Sequence, residues 1–428
     1  MRTAFAASLF PLVTLAGLAL GQNPVKAPAD GSTPAKVVKP AEEGKAPALT
    51  GSSVIPSSCA SGACNDGGAC GPDGCVWGNV EYLLWWTRPD RVPPLVTSGT
   101  TASRGIIGQP GTATIIGDSG LGGIPQSGMK FTGGFWLDED HIIGLEGSYF
   151  VLEQASANYA NGGTSVAGGT VIARPFFNIS NNANDSEIIS FPGVLGGNVI
   201  VNTTTRMDGA ELNALQNLCC GPDYRIDLLA GFRYFEVDEG LNITENLLVD
   251  RAFPVGPGNT IVVSDQFGTK NRFYAMQVGL QGEKRWDDFF VGGFAKLAIG
   301  TNHETVIING TTALTPPGGT TSLQTGGLLA LPTNIGRFHH DQFAILPEFN
   351  IRAGYQVTDA LRVYLGYNVL YLSDLARPGS QIDPVVNPTQ LPSSSGPGTL
   401  VGAPRPFFGF VNKDIWVTGF NFGMELRF

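Results

Sequence analysis

The residues of this chain that could perform acid–base chemistry form two groups late in the sequence. His303 and Glu304 make up the first group, and His339, His340 and Asp341 make up the second. A histidine can act as a general base when a carboxylate orients its ring. The alternatives are adventitious metal binding and plain solvation at a surface. We expect solvation, because about 35 residues separate the two groups.

A second set of charged residues alternates with apolar residues. In the segment 224–237, for example, Arg225, Asp227 and Arg233 fall on one face of a strand, and Ile226 and Phe232 fall on the other. Ten residues of this kind are Arg225, Asp227, Arg233, Glu283, Lys296, Glu348, Arg352, Arg362, Glu425 and Arg427. Such a face either lines a polar conduit or fills an interior with ion pairs.

Six cysteines form three close pairs in the sequence. They are Cys59, Cys64, Cys70, Cys75, Cys219 and Cys220. The spacing of the first four is wider than zinc sites prefer, so disulfides in an oxidising compartment are the first expectation and a metal site is the alternative. The pairing stays open. Nucleophile-elbow, phosphate-loop and zinc-protease motifs do not occur, and we expect neither an enzyme nor a cofactor nor a resident metal.

The first 76 residues predict export. Residues 1–21 combine Arg2 with an apolar stretch and small residues before Gln22, as in a secretory signal peptide. Residues 22–56 are rich in Pro, Ala and Lys, which predicts a disordered linker, and residues 57–76 form a Cys-rich segment. The net charge of −10 argues against nucleic acid as a partner.

Elements that could position these residues begin at residue 77. Period-two segments occur at 78–86, 128–137, 142–153, 206–218, 224–237, 271–285, 289–302, 343–356, 360–372 and 413–428. Short polar connections alternate with connections of about 30 to 50 residues, as in barrels with short periplasmic turns and long extracellular loops. We therefore expect residues 77–428 to be all-β, an up-and-down antiparallel transmembrane β-barrel of about ten strands.

Two features refine this expectation. β-like stretches near 104–117 and 164–173 leave twelve strands, or a hairpin above the membrane, as alternatives. Tryptophans such as Trp85 and Trp136 fall near predicted strand ends, where aromatic rings favour the membrane interface.

The C-terminal strand predicts which face meets lipid. Its alternate apolar residues resemble the signal that bacterial barrel-assembly machinery recognises, and they are Phe420, Phe422, Met424, Leu426 and Phe428. A soluble sandwich would also alternate, but export, the loop pattern and this signal favour a barrel. A charge facing lipid at midplane costs about 2–4 kcal/mol, so the charged face should point inward. Barrels near eight strands are filled by side chains, which favours a filled interior over an open one.

Several stretches resemble the seventh putative β-barrel porin family, which is characteristic of planctomycete-type bacteria. The resemblance spans 77–428 and rests on residues 81–86 followed by Arg88 and Pro89, and on 144–150, 224–234, 277–282, 381–388 and 421–423. It implies a porin-like barrel and no defined catalytic residues.

The sequence thus predicts a structural or surface barrel in the bacterial outer membrane, with at most a narrow passage for small solutes. Its partners would be outer-membrane lipid and the assembly machinery, its termini would be periplasmic, and its solute and oligomeric state stay open. The alternatives are a hydrolase active at the rim, with the ten-stranded architecture of omptins, and a ligand-binding barrel that uses its long loops.

Overall fold

The computed structural model describes residues 75–251, 255–393 and 399–428. The strands of these residues are β1 (Val76–Thr87), β2 (Asp90–Val92), β3 (Val96–Gly99), β4 (Ala113–Ile116), β5 (Ser119–Leu121), β6 (Gln126–Trp136), β7 (Ile143–Leu152), β8 (Ala155–Gly163), β9 (Val171–Asn178), β10 (Ala183–Ser190), β11 (Leu195–Cys220), β12 (Tyr224–Val249), β13 (Thr260–Trp286), β14 (Phe289–Thr315), β15 (Ser322–Thr325), β16 (Gly336–Gln356), β17 (Leu361–Ala376), β18 (Val385–Val386) and β19 (Asn412–Arg427). Two short 3-10 helices span Pro378–Gln381 and Pro388–Gln390. In the described part of the chain, neither helix is long and apolar enough to cross a membrane. The predicted signal peptide, the linker and residues 57–74 lie outside the described residues.

Ten antiparallel strands close into a ring. Their order is β1, β6, β7, β11, β12, β13, β14, β16, β17 and β19, and β19 pairs with β1 again. The closing pairs run from Trp77 with Arg427 to Thr87 with Val417. The predicted all-β, up-and-down antiparallel barrel of about ten strands is confirmed. The stretches near 104–117 and 164–173 lead into β4 and β9, which pair outside the ring.

Four short connections lie together at one end of the ring, which we call the turn end; the opposite end is the loop end. In the turn after β6, Asp138 accepts hydrogen bonds from the backbone N–H groups of Ile142 and Ile143, both at 2.6 Å. His141 and Asp287 adopt left-handed backbone conformations in their turns (φ of 54° and 52°), which His, Asp and Asn tolerate better than most residues. These turns fix the register of the paired strands.

The long strands reverse their polarity part of the way along their length. In β12, the outward even-numbered residues are apolar over 226–234 and mostly polar over 236–246. The inward odd-numbered residues are mostly polar up to Arg233 and mostly apolar from Phe235 onward. An apolar exterior suits lipid, whereas a polar exterior over an apolar interior suits water. The reversal therefore places the membrane boundary near Tyr234.

The strands of this region are longer than the sequence predicted. Strands β11, β12, β13 and β14 have 26, 26, 27 and 27 residues, whereas a membrane strand needs about 9 to 11. The predicted strands ended at the loop end when their exterior stopped being apolar. The backbone pairing continues beyond that point. The inward-facing residues, which are mostly polar in the membrane-spanning part, become mostly apolar above it and form a core there.

The strand extensions form a sheet that rises on one side of the ring, and we call it the wall. β8 pairs with the upper part of β11 at 197–205, whereas β7 pairs with the lower part at 208–216. A second sheet of β10, β9, β3 and β4, with β18 beside β9, forms the cap. Apolar cap residues such as Val171 and Ile172 join wall residues such as Val201 and Ile243 in one buried cluster.

The polarity reversal predicts that one substitution will have different effects at two heights of β13. Leu280 and Gln266 are both exposed and both point outward. Leu280→Arg should lower the free energy of unfolding by about 2–4 kcal/mol, because an arginine would face the middle of the bilayer. Gln266→Arg should change it by less than about 0.5 kcal/mol, because that residue would face water. Urea unfolding in lipid vesicles measures both values, and equal values would place the membrane boundary elsewhere.

Candidate functional site

A buried apolar layer, which we call the belt, crosses the ring at the level of the polarity reversal. It contains Leu83, Trp85, Phe150, Leu152, Met207, Phe235, Val237, Phe273, Ala275, Ala298, Ala344, Leu346, Leu370, Leu372, Leu375, Ile415 and Val417. The ring of Phe150 lies 5.4 Å from Trp85 and 5.9 Å from Phe235. In each of these two contacts one strand lies between the strands that carry the rings, and the cluster as a whole draws on strands from all around the ring. The interior is therefore closed at the belt by packed side chains.

An ion-pair network fills the space on the turn-end side of the belt. Arg233 of β12 donates to Glu348 of β16 and lies 3.5 Å from Glu211 of β11. Lys296 of β14 lies 2.7 Å from the same Glu211 carboxylate, and Gln277 donates to it at 2.9 Å. These side chains are at most 6 % exposed. Arg233 and Glu211 are neighbours on adjacent strands, whereas the Arg233–Glu348 and Lys296–Glu211 pairs join strands that are not adjacent in the ring. These two pairs therefore cross the interior and fill it.

A second part of the network lies nearer the turn end. Arg362 of β17 reaches across to Glu283 of β13 at 2.5 Å and lies 3.4 Å from Glu425. Glu425 also pairs with Arg427, and Glu283 lies 3.8 Å from Arg352. With the Arg225–Asp227 pair at 2.7 Å, all ten residues of the predicted charged face occupy the interior and take part in ion pairs.

A cavity of about 110 Å³, which we call the vestibule, lies between this network and the turn end. The Arg225 guanidinium stacks 4.1 Å from the Trp136 ring at its wall, and the Trp77 ring lies 5.1 Å from Trp136. The Arg352 and Arg427 side chains that line the vestibule are 27 % and 18 % exposed, whereas Arg233, near the belt, is 2 % exposed. The vestibule is thus accessible from the turn end and closed toward the belt.

The predicted rim residues face each other on β14 and β16. His303 pairs with Asp341, and His340 Nδ1 lies 3.3 Å from Glu304 Oε2. His339 Nδ1 lies 3.1 Å from the Thr305 hydroxyl. His303 and Glu304 are consecutive strand residues and therefore point to opposite faces of the sheet. The two groups meet, as their neighbouring strands predicted, but they divide into separate pairs.

In the described ranges, the His, Cys, Asp and Glu side chains form no group of three that could hold a metal ion. Cys59, Cys64 and Cys70 lie outside those ranges. Cys75, expected in a disulfide, has a free thiol 3.7 Å from His141 Nε2, and Cys219 and Cys220 end β11. The disulfide pairing stays a prediction.

The proposed assembly signal lies on the exterior of β19. Its side chains are 40–72 % exposed, and they are Phe420, Phe422, Met424, Leu426 and Phe428. The expectation for Trp85 was wrong: it is 2 % exposed, and its indole donates to Asn421 at 2.8 Å within the barrel. Trp85 lies in a continuous apolar run, where alternation does not reveal which face is buried.

These features define a β-barrel of the outer-membrane class, with a lipid-facing exterior and an interior filled by its own side chains. The chain belongs to the family described as Putative beta barrel porin-7, which it matches over residues 77–428. The chain matches no curated protein.

The chain is also similar, at low identity, to several solved structures. The outer membrane protease OmpT from Escherichia coli is 14 % identical with a TM-score of 0.40, over 85 % of this chain and 99 % of that one. A FadL homologue from Pseudomonas aeruginosa is 10 % identical with a TM-score of 0.22, over 83 % and 91 %. The monoaromatic hydrocarbon channel CymD is 8 % identical with a TM-score of 0.18, over 84 % and 89 %.

Proposed function

We propose that this protein is a non-conducting outer-membrane barrel that holds the wall and the cap outside the cell. The belt carries this proposal, because its buried rings and aliphatic side chains leave no continuous polar path. Water and ions would have to cross a dry apolar layer, and the cap adds a second buried apolar cluster above it. The role is structural or surface-related, and the narrow passage that the sequence left open would not exist.

The orientation is part of the proposal. β1 begins and β19 ends at the turn end, where Val76 and Phe428 exchange backbone hydrogen bonds of 3.1 and 2.9 Å. Short turns face the periplasm and long connections face outward in outer-membrane barrels. The termini would then be periplasmic. The proposal assigns no catalytic step to the rim, because His303 and Glu304 belong to pairs on opposite faces of the sheet.

Single-channel recording in planar lipid bilayers tests this function. The purified full-length chain should insert without producing discrete conductance steps, while an open porin recorded in the same bilayers should produce them. Heat-modifiable migration in gels, measured on the same preparation, distinguishes a folded silent barrel from an unfolded one. Reproducible steps comparable with those of the porin would refute the closed interior and support passage of solutes.

A further inference from the structure

The vestibule contains charged groups that the interior network does not pair. Among the cavity-lining residues, Lys130 of β6 and Glu146 of β7 have no hydrogen bond or ion pair with another described side chain. An unpaired charge removed from bulk water costs several kcal/mol unless another group or a solvent molecule compensates it. Two such charges of opposite sign at one cavity indicate a place for a polar solute.

Apart from Glu146, the carboxylates around Lys130 already have partners. Glu81 accepts hydrogen bonds from Tyr364 and from Asn421 at 3.2 Å, and Glu211 is held by Lys296 at 2.7 Å. The Lys130 ammonium instead lies 5.6 Å from the centre of the Phe294 ring. An aromatic face attracts a cation but supplies no hydrogen-bond acceptor of carboxylate strength. The ammonium therefore retains donors that can bind an anionic group in the vestibule.

Lys130 and Glu146 attract each other through the vestibule without forming a hydrogen bond or an ion pair. The other cations around Glu146 have partners of their own. Lys296 binds Glu211, as above, and Arg352 lies 3.8 Å from Glu283 and 5.2 Å from the Tyr364 ring. The Nε atom of Arg352 is buried and has no hydrogen-bond acceptor. Glu146 can therefore accept a cationic group, and the Arg352 guanidinium can donate to an anionic one.

The size and charge balance of the vestibule define the class of ligand. At about 10–15 Å³ for each water, a volume of about 110 Å³ holds roughly seven to eleven waters. This is room for a compact molecule of amino-acid size. The remaining acidic and basic side chains of the lining mostly neutralise each other, so a strongly charged anion or cation would face repulsion as well as attraction.

We propose that the vestibule binds a small zwitterion that enters from the turn end. Its carboxylate would contact Lys130 and Arg352, and its ammonium would contact Glu146. Thr132 and Ser148 line the same cavity with short side chains, which leaves space for the ligand's backbone. This site is separate from the role assigned to the wall and the cap, and it does not depend on whether the barrel conducts.

Isothermal titration of the folded full-length chain in detergent tests the proposal. The probes are glycine, β-alanine, γ-aminobutyrate and ε-aminocaproate, which increase the separation of the two charges. At least one should bind with a Kd below about 1 mM, and butyrate and butylammonium should bind at least about tenfold more weakly. No binding by any zwitterion up to about 10 mM would overturn the proposal, as would equal binding of butyrate or butylammonium.

Variants locate the site. Lys130→Met and Glu146→Gln should each weaken the best zwitterion by at least about tenfold. Lys284→Met should leave binding unchanged, because Lys284 pairs with Asp223 on the exposed turn surface. Ser148→Phe keeps every charge but fills the cavity, and it should abolish binding even if a charge variant fails to fold. Unchanged affinity in folded Lys130→Met or Ser148→Phe, judged by heat-modifiable migration, would move the site elsewhere and refute the assignment.

Discussion

Replacing Arg174 with methionine is expected to lower the free energy of unfolding of the cap by about 3–5 kcal/mol. Arg174 lies on β9, and its side chain is fully buried between the cap and the wall. Its Nη1 atom lies 2.7 Å from Glu245 of β12 and 2.7 Å from Asp265 of β13. Methionine would fill much of the same volume but leave both carboxylates without their counter-ion. The cost arises from those uncompensated buried charges.

The same cluster determines how the cap should respond to pH. Burial, and then the neighbouring Glu245 carboxylate, raise the pKa of Glu187 well above its ordinary range. Folded Glu187 therefore keeps a proton that the unfolded chain releases above a pH of about 4.3. The free energy of unfolding should fall as the pH rises through this interval, since the unfolded state then binds fewer protons. In Arg174→Met the fall should be steeper, because burial raises the pKa of Glu245 and the Arg174 guanidinium that counteracts this would be gone.

Limited proteolysis of the cap in increasing urea measures both effects. Arg405→Met is the matched control, because Arg405 forms a 2.7 Å pair with Asp383 but is 42 % exposed. Exposed ion pairs contribute about 0–1 kcal/mol, so the control should unfold nearly like the parent protein. Glu187→Gln should reduce the pH dependence of the parent. Equal urea sensitivity of Arg174→Met and the parent at neutral pH would contradict the role of this cluster.

Replacing Arg233 with methionine should destabilise the barrel itself by about 3–5 kcal/mol. Arg233 and Glu348 are 2 % and 3 % exposed, and neither lines the vestibule. Removing the guanidinium leaves the Glu348 carboxylate in a dry interior, facing the second carboxylate of Glu211. The additional change Glu348→Met should recover much of the loss, since paired charges can often be replaced by packed apolar side chains at little cost.

Urea unfolding in lipid vesicles, followed by tryptophan fluorescence, completes a double-mutant cycle for this pair. Lys284→Met serves again as the exposed control, with an expected change below about 1 kcal/mol. If the double variant were as unstable as the sum of the single variants, Arg233 and Glu348 would not be coupled. The interior would then be a solvated conduit in which each charge is hydrated independently.

The ring could be predicted from the sequence because two local signals agree. From Arg225 to Tyr234, charged residues on one face alternate with apolar residues on the other, and the turns that follow β6, β11, β13 and β16 are short and polar. The wall escaped prediction because its exterior is polar, as in the outward residues 236–246 of β12. In the wall the alternation continues, but the polar residues face outward and the apolar residues face inward. A strand recognised by its apolar exterior therefore ends at the membrane boundary.

The candidate site was predicted in part. Residues such as Arg362 and Arg352 stood out because apolar neighbours flank them on both sides. Lys130 and Glu146 lie among glycines in β6 and β7, where the contrast between the two faces is weak. Their lack of partners is a property of the closed ring, and no local pattern encodes it. The cap required pairings such as that of β3 with β9, which are remote in sequence.

The cap also affects how the molecule comes apart. The ring closes where β1 meets β19, a junction between segments about 340 residues apart in the chain. β18, which lies between β17 and β19 in the chain, pairs with β9 of the cap. Arg377, in the connection from β17 to β18, forms a 2.7 Å ion pair with Glu239 of β12 and lies 3.7 Å from Asp90 of β2. The first and last strands are thus joined twice, once edge to edge and once through the cap. We therefore expect the cap to release before the two strands separate at that junction, so that contacts above the membrane determine how long the ring stays closed.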